Sequence, residues 1–146
     1  GLQEYQAPVE YGRSEIIRKG KKIAVLGVGS MIPSCMEICK GLKDDGYDPT
    51  FVNARFVKPL DVDLLDELAK DHSLFVTVEE NVKSGGYGEH VSAYMEACHP
   101  EIRVLSAAVW DRFVPQGNVE SLRSRIGLGV EDIRQAIEDS EELREQ

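Results

Sequence analysis

Cysteine is scarce in this chain: 3 residues in 146, at positions 35, 39 and 98, with no Cys-x-x-Cys spacing. An odd number cannot pair completely within one chain, and Cys98 has no neighbour at metal-ligand spacing. Cys35 and Cys39 are one turn apart on an expected helix, and all three cysteines read as reduced core thiols of a cytoplasmic protein. Long apolar runs are missing as well. No stretch approaches the roughly 20 residues of a membrane-spanning helix, and the N-terminus lacks the apolar core of a signal peptide. Positive charge is in deficit, with 17 Lys and Arg against 26 Asp and Glu and a net charge of −9. Such a surface repels phosphate backbones, so no nucleic-acid partner is expected, although a local basic patch still suits a phosphorylated small molecule. No initiator Met precedes Gly1, which is read as the start of a processed or excised piece.

What is present is the composition of an ordered globule, 42% hydrophobic and 29% charged. A chain of this length suits one domain that buries about 70% of its unfolded surface. Residues 1–20 are expected to form an interdomain linker with a short extended piece at 14–18, and residues 21–146 the domain. Ile23-Ala-Val-Leu26 reads as a buried strand. Cys35, Ile38, Cys39 and Leu42 recur at helical spacing, with Pro33 in the first turn and Gly46 as the stop. Residues 50–57 are strand-like. Pro59 ends that strand, and Asp61 is placed to cap a helix through Leu64, Leu65 and Leu68. A third strand at 74–78 precedes a helix over 87–98 carrying Val91, Tyr94, Met95 and Cys98 on one face. A fourth strand is expected at 101–109. Amphipathic segments follow at 118–126 and from Val130, where Ile133 and Ile137 share a face, and the acidic tail from Glu138 is expected to fray. This alternation predicts a mostly parallel sheet with helices on both faces.

Candidate functional residues gather where strands end, since open α/β sheets present their groups at the carboxyl edge. Gly27-Val-Gly29-Ser30-Met-Ile32 follows a strand and opens a helix, but Ile32 stands where a dinucleotide fingerprint needs its third glycine. It reads as strand-to-helix turn chemistry. Arg55, Lys58, Glu79 and Glu80 leave the ends of strands taken as neighbours. They suit phosphate recognition, proton exchange, domain docking, or an ion-pair cluster with one carboxylate capping the next helix. The ion-pair cluster is preferred, with Arg55 or Lys58 in contact with Glu79 or Glu80. Adjacent carboxylates on a strand point to opposite faces, which argues against a dyad or a two-ligand metal site. Ser84, Gly85, Gly86, Tyr87 and Gly88 form a glycine cluster followed by Glu89 rather than a cation, so a phosphate loop is not expected. With Asn81, this loop is read as a docking surface anchored by Tyr87. His72, His90 and His99 are scattered, and no catalytic order of Ser, His, Asp or Cys stands out.

Four segments in order carry a family resemblance: 20–30 with Gly29 and Ser30, 54–61 (Ala-Arg-Phe-Val-Lys-Pro-Leu-Asp), 77–88 with Glu79, Glu80, Asn81 and Gly85-Gly86-Tyr87-Gly88, and Asp111-Arg112-Phe113 with Gly117. Together they resemble the C-terminal domain of the transketolase family, within it the 1-deoxy-D-xylulose-5-phosphate synthase branch. The branch has Pro before its Asp-Arg-Phe, where this chain has Trp110. The resemblance implies a three-layer α/β/α domain around a five-stranded, mostly parallel sheet with one antiparallel strand. It also implies a thiamine-diphosphate- and magnesium-dependent enzyme that condenses pyruvate with glyceraldehyde 3-phosphate, the product feeding isoprenoid and thiamine synthesis.

In that family the diphosphate, the metal and the activating glutamate lie on the two preceding domains. The resemblance therefore implies no catalytic, cofactor-binding or metal residue here and an inactive isolated chain. Its partners are the missing N-terminal and central domains, within a cytoplasmic homodimer. The edge comprising Arg55, Lys58, Glu79, Glu80, Asn81, Gly85, Gly86, Tyr87, Gly88, Asp111 and Arg112 serves as an interdomain or structural surface. The alternatives are the corresponding domain of a 2-oxo-acid dehydrogenase β subunit, which docks an acyltransferase, and a stand-alone module holding a small anion.

Overall fold

The apolar strand segments of this chain need a common sheet to bury their faces, and the structure supplies one of five strands, the outermost of them exposed. The computed structural model describes residues 12–55, 59–80, 86–109 and 129–145. The strands are β1 (Glu15–Arg18), β2 (Lys22–Gly27), β3 (Thr50–Asn53), β4 (His72–Glu80) and β5 (Arg103–Val109), in spatial order β1-β3-β2-β4-β5. β2, β3, β4 and β5 run parallel, and β1 pairs antiparallel with β3 on the outer edge. The extended piece expected at 14–18 is therefore a full member of the sheet.

Parallel strands need crossovers, and helices supply them. A 3₁₀ turn at Gly29–Met31 leads into α1 (Ile32–Asp44); α2 is Val62–Ala69, α3 Tyr87–Cys98 and α4 Val130–Glu145. Helices α1 and α4 cover one face, burying Cys35, Ile38, Leu42, Ile133 and Ile137 against Val25, Val76 and Val78. On the other face α2 and α3 set Leu65, Leu68, Tyr87, Val91 and Met95 against Leu26, Val52 and Phe75. Each fully buried large apolar side chain contributes about 1.5–3 kcal/mol, so these two layers dominate the stability.

The α2 start follows its expected chemistry: the Asp61 side chain accepts the Leu64 N–H at 3.2 Å and the Ser14 N–H at 2.8 Å. One carboxylate thus caps a helix and ties down the segment entering β1. Four expectations need correction. β3 stops at Asn53 rather than 57, because Arg55 takes a positive φ of 62° that no strand continues. β4 runs from His72 to Glu80 instead of 74–78, its last residues pairing with Ala108 and Val109 of β5. Cys98 is exposed at the end of α3, whereas Cys35 and Cys39 are buried. The acidic tail does not fray at Glu138, since α4 continues to Glu145 with Glu141 only 1% exposed. Glu141 extends the Ile133–Ile137 stripe by one more turn, so helical spacing carries it inward despite its charge. The amphipathic segment at 118–126, Trp110 and the Asp111-Arg112-Phe113 motif lie outside the described residues.

Candidate functional site

Side chains alternate faces along a strand, and the end of β4 shows the consequence. Val78 points into the α1–α4 layer, so Glu79 turns to the α3 side and Glu80 back again. The two Glu79 oxygens accept successive helix donors, the Tyr87 N–H at 3.0 Å and the Gly88 N–H at 2.7 Å. The first N–H groups of a helix have no partner within it, and the positive end of its dipole favours a carboxylate. Gly86 is the N-cap and offers no side chain, so a strand residue does the capping. Glu80 is exposed and accepts the Ser30 hydroxyl at the turn into α1. The pair therefore serves two helices on opposite faces, as the alternation predicts.

Gly88 is required by close approach. A Cβ there would stand 2.7 Å from Glu79 Oε2, 2.8 Å from Thr77 Oγ1 and 3.1 Å from Ser106 Oγ. A similar argument holds at Gly27, where a Cβ would meet Cys35 Sγ at 2.5 Å. The glycine thus lets α1 pack closely on β2. Its neighbour Gly29 has φ +54° in the turn itself. These glycines follow strand-to-helix packing, the reading preferred from sequence. Burial pushes both helix thiols, Cys35 and Cys39, up to about 12, which leaves them inert near neutrality.

Tyr87 was expected as an anchor for another domain, and that expectation is corrected. It is 2% exposed and belongs to the α2–α3 core of this chain. Burial first, then the nearby Asp61 and Glu79 carboxylates, push its phenol above the ordinary range. Its side chain is fully committed within the domain.

The expected contact of Arg55 with Glu79 or Glu80 does not form. Arg55 binds Glu15 of β1 at 2.8 Å, and its N–H is held by Asn53 Oδ1 at 3.0 Å. The reason is strand order: β2 lies between β3 and β4, so the ends of β3 and β4 are two strand spacings apart, about 10 Å. Lys58, Asn81, Gly85, Asp111 and Arg112 lie outside the described residues.

The histidines are also accounted for structurally in two cases. His72 is buried, its ring between Thr50 Oγ1 at 2.7 Å and the Leu68 carbonyl at 2.9 Å. Gly20 N–H already donates to Thr50 Oγ1 at 2.8 Å, so this network ties the turn between β1 and β2 to β3 and β4 at the foot of the sheet. His99 meets Asp66 Oδ1 at 2.7 Å, beside the Tyr94 hydroxyl at 2.6 Å on the same oxygen, joining α3 to α2. His90 lies on α3 with its Nε2 buried.

Sequence reading missed two further ties. Arg134 of α4 binds Asp45 at the end of α1, and Glu131 and Glu138 within α4. The i, i+3 and i, i+4 spacings were visible in the sequence, but the contact to Asp45 was not. Arg18 binds Asp48 at 2.7 Å and the Pro49 carbonyl at 2.7 Å, fastening β1 to the turn before β3.

Among the described residues no group of three or more His, Cys, Asp or Glu side chains is placed to hold a metal ion. Glu79 is held by two helix N–H donors and Glu80 by the Ser30 hydroxyl, so both carboxylates have partners within the domain. No helix among the described residues is long and apolar enough to cross a membrane.

Fold and edge together define an open α/β domain whose strand-end carboxylates hold its own helices. The particular family follows: residues 12–133 match the transketolase C-terminal domain, and the chain belongs to that family. It is 39% identical over 134 residues to the 1-deoxy-D-xylulose-5-phosphate synthase of Lachnoclostridium phytofermentans, covering 91% of this chain and 21% of the relative. For the synthase of Dictyoglomus thermophilum the identity is 39% over 137 residues, 94% of this chain and 22% of the relative. The chain thus spans about a fifth of the length of these relatives. Among solved structures, a split-gene transketolase described as an inactive β4 tetramer superposes with TM-score 0.73 at 29% identity, covering 91% of this chain and 43% of that one. Transketolase from Campylobacter jejuni shares the fold, with TM-score 0.57 at 17% identity over 92% of this chain and 20% of that one.

Proposed function

We propose that this chain is the C-terminal domain of a cytoplasmic, homodimeric 1-deoxy-D-xylulose-5-phosphate synthase. Residues 1–20 are the linker with the edge strand, and residues 21–146 the body of the domain. The complete enzyme joins pyruvate to glyceraldehyde 3-phosphate with release of carbon dioxide, and thiamine diphosphate with magnesium supplies the chemistry. Both are carried by the N-terminal and central domains, and this domain contributes packing and dimer architecture. The observation that carries this reading is the commitment of the strand-end carboxylates: Glu79 to the α3 N-terminus and Glu80 to Ser30. Carboxylates engaged in this way hold the fold together.

The synthase names of the relatives favour this assignment over a 2-oxo-acid dehydrogenase β subunit. The inactive tetramer formed by the similar split-gene transketolase chain supports an inactive isolated domain. The test is an assay of the complete enzyme with pyruvate and glyceraldehyde 3-phosphate, and of this chain alone under the same conditions. Deoxyxylulose phosphate is expected from the complete enzyme only. Transfer of an acyl group to a lipoyl acceptor by the complete enzyme would overturn the assignment.

A further inference from the structure

Tyr87 is buried in this domain's own core and presents no side chain to another domain. Among the described residues the exposed large hydrophobic side chains are Ile16 (40%), Ile17 (47%) and Met36 (58%). They share one border of the molecule. β1 is the outermost strand, and Ile16 lies opposite Val52 of β3, on the α2–α3 face. Between Ile16 and Arg18 the register shifts, so Ile17 is an extra residue that the ladder does not absorb.

Met36 reaches the same border from α1. One flank of that helix meets α4, since Asp45 binds Arg134 and a Cβ on Gly41 would touch Arg134 Cδ at 2.5 Å. At about 100° per residue, Met36 falls on the opposite flank together with Lys43. Near that flank, Arg18 of β1 and Lys43 both act electrostatically on Cys39. Met36 therefore stands over the β1 side of the sheet.

Edge strands are usually guarded by outward charges, bulges or short length. β1 is short and bulged, and its charges are paired at the surface: Glu15 holds Arg55, and Arg18 holds Asp48 and the Pro49 carbonyl. Between these paired charges Ile16 and Ile17 stay exposed with no packing partner of their own in the core. The bulge opposes addition of another strand, so a partner meets this border through side chains.

We propose that the border formed by Ile16, Ile17 and Met36 packs against the cofactor-carrying domains of the enzyme. This rests on the function proposed above. The occupant is chosen by the chain outside this domain. About four fifths of the relatives' length lies beyond the matched part, and the matched family is a C-terminal domain. The remainder therefore joins from the N-terminal side, where β1 is the first strand.

The test places p-benzoyl-phenylalanine at position 17, and separately at position 36, in the complete enzyme. Each preparation is irradiated, and crosslinked peptides are mapped by mass spectrometry. Both positions are exposed, so the replacement leaves the core intact. Crosslinks to peptides of the cofactor-carrying domains are expected from both positions. Crosslinks only between two copies of this domain, or no captured peptide from either position, would overturn the proposal. Deoxyxylulose phosphate formation is measured on the same preparations. Crosslinks without synthesis retain the docking border and overturn the reaction assigned above, and synthesis without crosslinks does the reverse.

Discussion

Glu79 and Gly88 are fitted to each other: the carboxylate accepts the glycine N–H at 2.7 Å and occupies the space a side chain there would need. One residue ends a strand, the other opens a helix, and the contact fixes how β4 and α3 meet. Gly88→Ala should therefore cost about 1–3 kcal/mol, as overpacking does in a filled interior. The urea midpoint should fall with an unchanged slope. An unshifted midpoint would show that Glu79 and Thr77 move aside freely.

Removing the carboxylate probes the same contact from the other side. Glu79→Ala leaves two helix N–H groups without their acceptor and should cost about 1–2 kcal/mol, the range for a lost cap. It also clears the space beside position 88. The double variant should thus be less destabilised than the sum of the two singles, with a coupling of at least about 0.5 kcal/mol. Strict additivity in denaturant unfolding would refute the shared contact.

The thiols should separate into two classes. Cys35 and Cys39 are buried and their pKa values are pushed up to about 12, whereas Cys98 is exposed. A chromogenic disulfide reagent at about pH 8 should titrate a single thiol in the native protein and all 3 after unfolding. Rapid native reaction of more than one thiol would contradict the burial of the α1 pair.

Asp66 gives the clearest pH dependence. The Tyr94 hydroxyl, then the His99 ring, hold its carboxyl below the ordinary value of 3.8. A lowered folded-state pKa adds stability that is present above the unfolded value and is lost as pH falls through the folded one. The gap in thermal midpoint between the parent and Asp66→Asn should thus be widest near neutrality. It should close as pH falls below about 4. A gap that widens in acid would reverse the assigned sign.

Much of the fold was legible because local chemistry and tertiary packing agree in this chain. The α3 limits follow from the spacing of Tyr87, Val91 and Met95, and Asp61 caps α2 as its position requires. Opposite orientations for Glu79 and Glu80 follow from strand alternation alone. Strand order was not legible. Arg55 and Glu79 looked like neighbours because their strands succeed one another in sequence, yet β2 separates them and β1 supplies Glu15. Tyr87 misled for a related reason. A residue beside glycines reads as a loop tip, but the cap from Glu79 makes it the first residue of a buried helix. Glu141 shows charge overruled by position, since the stripe from Ile133 carries it into the interior.

In the proposed role this domain works within a thiamine-diphosphate enzyme without holding the cofactor itself. Calorimetric titration of the isolated chain with thiamine diphosphate and magnesium tests it most directly, with the complete enzyme titrated alongside. Saturable heat is expected from the complete enzyme and only dilution heat from the isolated chain. Saturable micromolar binding by the isolated chain would contradict it.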